Sequence, residues 1–263
     1  MSALMEVTGL RKVFRLGPVW ARRDLVAVRD VSFTIDAGQT YGLVGESGSG
    51  KSTVARLIAR LEKPSAGTIR LDGQDIAELR GAALKSLRRD VQMVFQDPFT
   101  ALNPRMSVRE LVYEPWQIHG LYNATQRNTR LRTLLDQVGL PATAAGKKPV
   151  EFSGGQRQRI MIARALALEP KLLIADEPVS ALDVSVQAQV LNVFKDLQEN
   201  LGLACLFISH DLSVVEFVSD RVGVMYRGDL LEEGTPSEIY RSPSTDYTKR
   251  LLAAIPQVEA GPR

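Results

Sequence analysis

The segment GLVGESGSGKSTVARL, residues 42–57, combines glycine, serine and lysine in a spacing that can hold a polyphosphate. Glycine permits backbone conformations that a β-carbon resists, so this loop can turn its N–H groups inward as an anion cradle. A helix that begins at the loop would add its positive end, Lys51 would reach the β- and γ-phosphates, and the Ser52 hydroxyl would bind Mg²⁺. The predicted phosphate-binding residues are Gly45, Glu46, Ser47, Gly48, Ser49, Gly50, Lys51, Ser52 and Thr53.

Polar residues of catalytic type follow three further apolar segments. VQMVF precedes Gln96, KLLIAD ends in Asp176 and is followed by Glu177, and LACLFIS is followed by His210. Ligands of open α/β sheets bind at the carboxyl ends of the strands, so we expect these groups to converge on the phosphate loop. Asp176 is the candidate Mg²⁺ carboxylate, and Glu177 is the candidate general base for an attacking water. Gln96 is expected to touch Mg²⁺ or that water, and His210 the γ-phosphate.

A second serine-glycine turn stands at the start of EFSGGQRQRIMIARALALEP, where Ser153 and two glycines open a helical pattern. A helix that begins this way is a second candidate anion site, in a chain with a single phosphate loop. One nucleotide does not need two cradles within one monomer. We therefore predict that each chain lends its second cradle to the nucleotide of a neighbour, so that the nucleotide is sandwiched between two subunits.

The elements that must position these groups follow from periodicity. Apolar, β-rich segments alternate with helical patterns, which predicts an α/β fold with a largely parallel sheet. YGLV predicts a short buried strand before the phosphate loop, and the apolar spacing of residues 54–61 predicts a helix after it that reaches Leu61. Three N-terminal segments, MEVTGLRKVF, VAVRDVSFTI and GTIRLDGQDI, predict an antiparallel lobe. SVRELVYEPWQI and TQRNTRLRTLLDQVGL predict helices, the second ending at Gly139.

These patterns predict a single domain over residues 1–263, without internal repeats or a low-complexity linker. The predicted α/β core comprises about residues 1–96 and 161–240, and the inserted helical subdomain about residues 97–160. A C-terminal segment occupies about residues 230–263.

Composition limits the class of protein. The chain has 263 residues, 44% hydrophobic and 24% charged, and a net charge of +3 with scattered basic residues, so a globular domain without a nucleic-acid partner is expected. Its single cysteine, Cys205, excludes a disulfide framework within the chain and favours a reducing compartment. The N-terminal residues lack the apolar core of a signal peptide, and no apolar stretch is long enough to span a bilayer. Any membrane role is therefore expected to come through a partner.

Over almost its whole length the sequence resembles an ATP-binding cassette (ABC) ATPase. The motifs occur in the order of that family: Walker A GESGSGKST, glutamine loop FQDP, signature FSGGQ, Walker B LLIADEP, D-loop SALD and switch histidine ISHD. The resemblance implies a P-loop NTPase (RecA-like) core with an antiparallel β lobe and an inserted α-helical subdomain. It also implies ATP and Mg²⁺ as ligands and ATP hydrolysis coupled to transport.

The resemblance implies further site residues. Phe14, in LRKVF, stands where the family carries an aromatic ring that stacks on adenine, and Asp183 resembles the D-loop carboxylate that communicates across a dimer. The signature has Phe152 where leucine is usual, which is a change between apolar residues. The residues implied to close over the nucleotide of a partner subunit are Ser153, Gly154, Gly155 and Gln156.

Two longer segments, FQDPFTALNPRMSV and LLEEGTPSEIYRSPSTDYTKRLLAAIP, resemble the peptide/nickel importer ATPases. This implies a subunit that energises uptake of a peptide-like solute, lying peripherally at the cytoplasmic face of a bacterial inner membrane. Its implied partners are a second ABC ATPase subunit, two integral-membrane permease subunits and, indirectly, a solute-binding protein. STDYTKR departs from the more frequent His-Pro-Tyr pattern, and no cysteine follows Cys205, so the iron–sulfur cluster of some longer members is not expected.

Several alternatives remain. Within the family the solute could be nickel, glutathione or an opine. A DNA-repair ABC protein would carry long coiled coils between Thr53 and Ser153, and this interval has no sustained heptads. A non-transport ABC ATPase in a soluble enzyme complex shares every nucleotide motif, and only the segments near residues 96–108 and 230–256 argue against it. The FSGGQ signature disfavours a P-loop kinase or GTPase.

Overall fold

The structure of the protein is a computed structural model that describes residues 3–18 and 23–254. The strands are β1 Met5–Leu16, β2 Arg23–Ile35, β3 Thr40–Val44, β4 Ala66–Leu71, β5 Gln74–Asp75, β6 Val91–Val94, β7 Leu172–Asp176, β8 Ala204–Ser209, β9 Arg221–Tyr226 and β10 Asp229–Gly234. The helices are α1 Lys51–Ile58, α2 Gly81–Asp90, α3 Pro98–Ala101, α4 Val108–His119, α5 Ala124–Gln137, α6 Gly154–Leu166, α7 Val184–Leu201, α8 Leu212–Val218, α9 Pro236–Arg241 and α10 Asp246–Ala253. Two 3₁₀ turns cover Ala142–Gly146 and Pro149–Glu151.

The described strands form one sheet in the order β5-β4-β1-β2-β10-β9-β3-β8-β7-β6. The five strands from β9 to β6 pair in parallel, and β3, β7 and β8 are buried along their whole length. Strands buried on both faces are expected to be nearly continuous apolar runs, as these three are. The predicted parallel α/β sheet is confirmed, and the carboxyl ends of β3, β6, β7 and β8 lie along one edge.

The other end of the sheet is the predicted antiparallel lobe. Strand β1 pairs antiparallel with both β2 and β4, and β4 pairs with β5. Met5, Leu10, Ile35 and Ile69 are fully buried in the core of this lobe. Strand β2 joins the parallel part through β10, next to Asp229. The lobe is therefore continuous with the sheet that carries the phosphate loop.

Helices α3 to α6 and both 3₁₀ turns lie in the chain between β6 and β7. Ser107 and Glu110 form a capping box at the start of α4, and Gly139 has a φ of 65° just after α5, as expected for a helix stop. The indole of Trp116 is buried, and its Nε1 donates to the carbonyl of Ala167, 2.5 Å away. This region is helical as expected, while the exact subdomain bounds stay a prediction.

The helix after the phosphate loop is shorter than predicted. α1 ends at Ile58, and Leu61 lies beyond it with 53% of its surface exposed. Arg60 has a left-handed φ of 53°, and its Nε donates to the carbonyl of Ile76, 2.7 Å away. The expected extension to Leu61 was wrong because this buried contact with the β lobe turns the chain out of the helix.

Candidate active site

The phosphate loop begins where β3 ends and is shaped by two close backbone approaches. Gly45 has a φ of 150°, and a β-carbon there would lie 2.2 Å from the carbonyl oxygen of Met225. Gly50 has a φ of 110°, and its β-carbon would lie 2.4 Å from the carbonyl oxygen of Ala27. Gly48 has open space around it but a φ of 80°, so only its conformation requires glycine. Neighbouring strands therefore leave no room for side chains at both ends of the loop.

Lys51 lies inside this loop with 4% of its surface exposed. Its Nζ donates to the carbonyl oxygens of Gly45, at 2.7 Å, and Glu46, at 3.0 Å. Burial lowers the pKa of Lys51, and the nearby carboxylates of Glu177 and Asp176 oppose that shift. No side chain caps the first turn of α1, so its N–H groups stay free for an anion. The loop thus presents a buried cation and free main-chain donors together.

A hydroxyl and a carboxylate meet beside the loop. Ser52 Oγ donates to Asp176 Oδ1 over 2.9 Å, and Asp176, the last residue of β7, is buried. Burial and the charge of Glu177 raise the pKa of Asp176, while the hydrogen bond from Ser52 opposes the rise. Oxygen ligands of this kind suit Mg²⁺, which binds proteins through one or two such groups and completes its shell with phosphates and water. The donor set therefore fits the predicted metal.

Glu177, Gln96 and His210 form a second cluster at the carboxyl ends of the parallel strands. The Oε2 of Glu177 lies 3.3 Å from Gln96 Nε2 and 3.2 Å from His210 Nδ1. Glu177 has a left-handed φ of 48°, and its N–H donates to the carbonyl of Ile208, 2.9 Å away. Such a conformation costs on the order of 1 kcal/mol and marks a position that the surrounding structure holds in place. The Glu177 side chain is 16% exposed and that of His210 54%, so water can reach the cluster.

Ser180 is a member of this cluster that the sequence analysis did not single out. Its Oγ donates to the carbonyl of Glu177 over 3.1 Å and lies 3.2 Å from Gln96 Nε2. Gln96 therefore contacts Glu177 and Ser180, whereas its expected contact with Mg²⁺ stays a prediction. The available signal was the position of Ser180 as the first residue of SALD, two residues after LLIADEP.

The serine-glycine turn at the start of α6 is a closed local unit. Ser153 Oγ accepts from the N–H of Gln156 at 3.3 Å, and Gln156 Oε1 accepts from the N–H of Ser153 at 3.0 Å, so the two residues form a capping box. Both residues are exposed. A β-carbon on Gly155 would lie 2.1 Å from Val186 Cγ1, and one on Gly154 would lie 3.1 Å from Leu182 Cδ2. Packing against α7 thus leaves no room for a β-carbon at Gly155, whereas at Gly154 the Leu182 side chain would have to shift by only a few tenths of an ångström.

Asp183 is the N-cap residue of α7 and directly follows Leu182, which packs against Gly154. Its carboxylate accepts from Ser185 Oγ at 2.7 Å and from the N–H of Val186 at 3.0 Å, and these hydrogen bonds lower the pKa of Asp183. Within the described residues, no hydrogen bond joins Ser153, Gln156 or Asp183 to the phosphate loop. In the described part of the chain, Ser153, Gln156 and Asp183 therefore make local hydrogen bonds and are not joined by hydrogen bonds to the phosphate loop of the same chain.

Phe14 lies on β1, away from both clusters in sequence. It is half-buried, pairs with Leu25 of β2, and its ring centroid is 4.7 Å from Lys12 Nζ. Leu25 is two residues from Ala27, whose carbonyl lies against Gly50 of the phosphate loop. Phe14 therefore belongs to the β1–β2 pair, and β2 contacts the phosphate loop. The stacking of its ring on adenine stays a prediction.

A phosphate loop on a parallel sheet, backed by a buried carboxylate and a Glu–His–Gln cluster, defines a P-loop nucleotide-hydrolysing domain. The model of the ABC transporter family matches residues 28–180, and the chain belongs to that family. It is therefore an ATP-binding and ATP-hydrolysing protein, as expected. No helix of the described residues is long and apolar enough to cross a bilayer.

Curated relatives match nearly the whole chain. The oligopeptide transport ATP-binding protein AppF of Bacillus subtilis is 51% identical over 97% of this chain and 79% of its own length. The oligopeptide transport ATP-binding protein OppF of Streptococcus mutans is 48% identical over 97% of this chain and 82% of its own length. The similarity extends well beyond the nucleotide motifs.

Solved structures confirm the cassette fold. The ATP-binding cassette MJ0796, solved as a dimer in a post-hydrolysis state with ADP and phosphate, is 30% identical with a TM-score of 0.78, covering 88% of this chain and 98% of that one. The cassette cbiO1 from Clostridium perfringens, part of the transporter complex cbiONQ, is 26% identical with a TM-score of 0.80, covering 92% of each chain. The expected ABC ATPase fold is thus confirmed.

Proposed function

We propose that this protein is the ATP-hydrolysing subunit of a bacterial ABC importer that energises uptake of a peptide-like solute through partner permeases. The observation that supports this function best is about 50% identity to oligopeptide transport ATP-binding proteins over nearly the whole chain. The similarity includes the segments that surround the nucleotide motifs, so it argues for the same kind of transport system and not only for ATP hydrolysis.

The triphosphate of ATP is bound by residues 45–53. Lys51 exchanges its main-chain acceptors on Gly45 and Glu46 for phosphate oxygens, which are stronger acceptors for a buried cation. The uncapped N–H groups of α1 add further donors. Phe14 stacks on the adenine from the adjacent strand pair. ATP therefore joins the β lobe and the parallel sheet.

Ser52 and Asp176 hold Mg²⁺, with Gln96 as a further ligand or as a contact to its water. When bound, the ion neutralises charge on the phosphates. The ion would stabilise the charge of Asp176 most, because this buried carboxylate has only the hydroxyl of Ser52 as a hydrogen-bond partner in the described structure. The hydroxyl and carboxylate oxygens, 2.9 Å apart, are close enough to contact one ion.

Glu177 takes a proton from the attacking water. Its carboxylate is held between Gln96 and His210, so it cannot rotate freely away from the strand edge. His210 uses Nδ1 toward Glu177, which leaves Nε2 for the γ-phosphate. The backbone of Glu177 has a left-handed φ, and its N–H donates to the carbonyl of Ile208, so the position from which the side chain extends is fixed. Positioning and proton abstraction are thus supplied by three neighbouring strand ends.

A second ABC ATPase subunit completes each site. Ser153 and Gln156 are exposed and, among the residues that the structure describes, make no hydrogen bond to the phosphate loop of their own chain, which supports this arrangement, and a dimeric cassette among the solved structures is consistent with it. Ser153, Gly154, Gly155 and Gln156 of one subunit close over the γ-phosphate bound by the other, and Asp183 lies at the same interface. ATP then holds the two subunits together, and hydrolysis releases them.

The permeases contact the surface around the glutamine loop. Phe95 and Phe99 flank Gln96, and Ile118 lies on α4; all three side chains are exposed. Phe95 and Ile118 line one cavity, and exposed apolar groups that lie close together are typical of a surface that a partner covers. A permease seated there places the protein at the cytoplasmic face of the membrane and links Gln96 to the transport path. The solute-binding protein acts on the other side, and no nucleic acid takes part.

Uptake measurements test this function. The gene is deleted in the source bacterium and restored as the wild type or as Glu177→Gln. Uptake of a labelled short peptide should return only with the wild-type gene. Nickel uptake should be the same in the deletion strain and in both restored strains. The tagged wild-type chain should co-purify from the membrane fraction with two permeases. Unchanged peptide uptake in the deletion strain, or recovery without permeases, would contradict the proposal.

A further inference from the structure

The C-terminal helix α10 contacts the phosphate loop through one side chain. Tyr247 lies in STDYTKR, a segment to which the sequence assigned no role. Its hydroxyl oxygen accepts a hydrogen bond from the N–H of Glu46 at 3.1 Å, although the two residues are 201 positions apart. Tyr247 is buried, and its ring lies on that of Tyr226, with centroids 4.3 Å apart. A phenol buried in this way keeps its proton, because burial raises the pKa of Tyr247.

The position of Tyr247 is itself held by a cluster of hydrogen bonds. Glu232 on β10 accepts from the N–H groups of Ser244 and Thr245, at 2.6 and 3.2 Å, and from the hydroxyl of Thr248 at 2.6 Å. Burial alone would raise the pKa of Glu232, but these hydrogen bonds outweigh it and lower the pKa to about 2. The start of α10 is therefore anchored to the sheet.

The contact falls on a peptide group that Lys51 also holds. The Gly45 carbonyl and the Glu46 N–H belong to the same peptide, and the carbonyl accepts from Lys51 Nζ while the N–H donates to Tyr247. Gly45 has no side chain to resist rotation of this peptide. Residues Glu46 to Gly48 are exposed, and a cavity of about 190 Å³ lies beside them. Packing therefore restrains this part of the loop very little.

We propose that Tyr247 is a positioning residue for ATP binding: its hydroxyl fixes the Gly45–Glu46 peptide when Lys51 turns to the phosphates. When Lys51 turns to the phosphates, the Gly45 carbonyl loses its hydrogen bond from Lys51. Without the Tyr247 hydroxyl, the Glu46 N–H of the same peptide then has no hydrogen bond to hold it either. The loop then pays more conformational entropy to bind ATP. The inference rests on the proposed assignment of residues 45–53 as the triphosphate site.

Two matched hydroxyl deletions test the proposal in the full-length chain. Tyr247→Phe keeps the ring and its stacking, and we expect it to raise the Kd for MgATP about three- to ten-fold, the effect of one hydrogen bond. The Tyr226→Phe control removes a hydroxyl that has no hydrogen bond within the described structure, so its Kd should stay within about two-fold. At saturating ATP, kcat of Tyr247→Phe should equal that of the control, since only binding is affected. Similar melting temperatures would exclude a general loss of structure.

The outcomes separate this proposal from the assignment of the site. Tyr247→Phe with a wild-type Kd, or Tyr226→Phe with an equal loss, would overturn the role of Tyr247. Lys51→Met that binds ATP normally would instead overturn the triphosphate site. Hydrogen exchange of the wild-type chain gives a test without any variant. The Glu46 amide should exchange more slowly than those of Ser47 and Gly48, and equally fast exchange would reject the contact.

Discussion

The phosphate loop and the serine-glycine turn of α6 both begin a helix, but different parts of the chain hold them. The loop is shaped by Met225 and Ala27 and is held from behind by Tyr247, all distant in sequence. The turn is closed by Gln156, three residues after Ser153. The first region is thus shaped by contacts with distant residues, whereas the second is closed by a local capping box and also packs against Val186 through Gly155.

This difference explains what each region can do alone. The first turn of α1 has no capping side chain, and the surrounding strands hold its donors in place for an anion. The first turn of α6 already satisfies one of its donors through Ser153, and it lies at the surface. A phosphate at this turn would have to compete with that local hydrogen bond. In the proposed function, the first region binds the triphosphate within one chain, and the second completes the site of a partner subunit.

The largest expected effect is on ATP hydrolysis, from a substitution of Glu177 beside the phosphate loop. Glu177→Gln removes the general base but keeps the shape of the side chain, so ATP hydrolysis should fall about 10²- to 10⁴-fold. ATP binding should persist, and the closed dimer should accumulate on size-exclusion chromatography with MgATP. Glu199→Gln, at an exposed position in α7, is the matched control and should hydrolyse ATP normally. Normal turnover by Glu177→Gln would remove Glu177 from the proposed role.

The packing behind the second region can be tested with glycine substitutions. Gly155→Ala places a β-carbon 2.1 Å from Val186, so we expect a loss of about 1–3 kcal/mol in the free energy of unfolding. Gly146→Ala has open space and no positive φ, so it should cost far less in urea denaturation. In a double-mutant cycle, Val186→Ala should recover part of the loss. Additive losses would show that Gly155 is not limited by Val186.

A comparison of two caps tests whether the second region works only across an interface. Ser153 and Ser107 both accept from an N–H three residues later at 3.3 Å, so alanine at either position should cost about 1 kcal/mol of stability. Only Ser153→Ala should also reduce ATP-driven dimerisation and ATP hydrolysis. Binding of ATP to the monomer should be unchanged in both variants. Equal hydrolysis by the two variants would contradict the shared site.

The smallest effect should come from the anchor behind the first region. Because the folded pKa of Glu232 is about 2, below its usual 4.5, its carboxylate stabilises the fold above pH 4.5, and this contribution is lost as the pH falls toward 2. Glu232→Gln should therefore lower the free energy of unfolding at neutral pH by on the order of 1 kcal/mol, since solvent screens this partly exposed group. The difference from wild type should shrink below pH 4.5. A difference independent of pH would show that charge is not the cause.

The sequence predicted much of the fold and the grouping of the candidate residues. Strand ends identified by residue type, such as Asp176 and His210, lie on adjacent strands because parallel pairing brings carboxyl ends to one edge. The end of α1 was missed because Arg60 turns toward the carbonyl of Ile76, which directly follows β5. Ser180 was missed because its contact with Gln96 depends on how a turn folds back. Both errors concern contacts between segments.

The sequence by itself determined the features that act over a few residues: the glycine spacing of the loop, the capping boxes and the apolar strands that precede catalytic side chains. Only the tertiary structure decided which distant residues meet these local features. The carbonyls of Ala27 and Met225 exclude side chains from the phosphate loop, and Val186 excludes a side chain at Gly155. The hydroxyl of Tyr247 accepts a hydrogen bond from the N–H of Glu46. The reason is physical. Local hydrogen bonds depend on spacing along the chain, whereas contacts between distant residues depend on the order in which strands pair and helices pack.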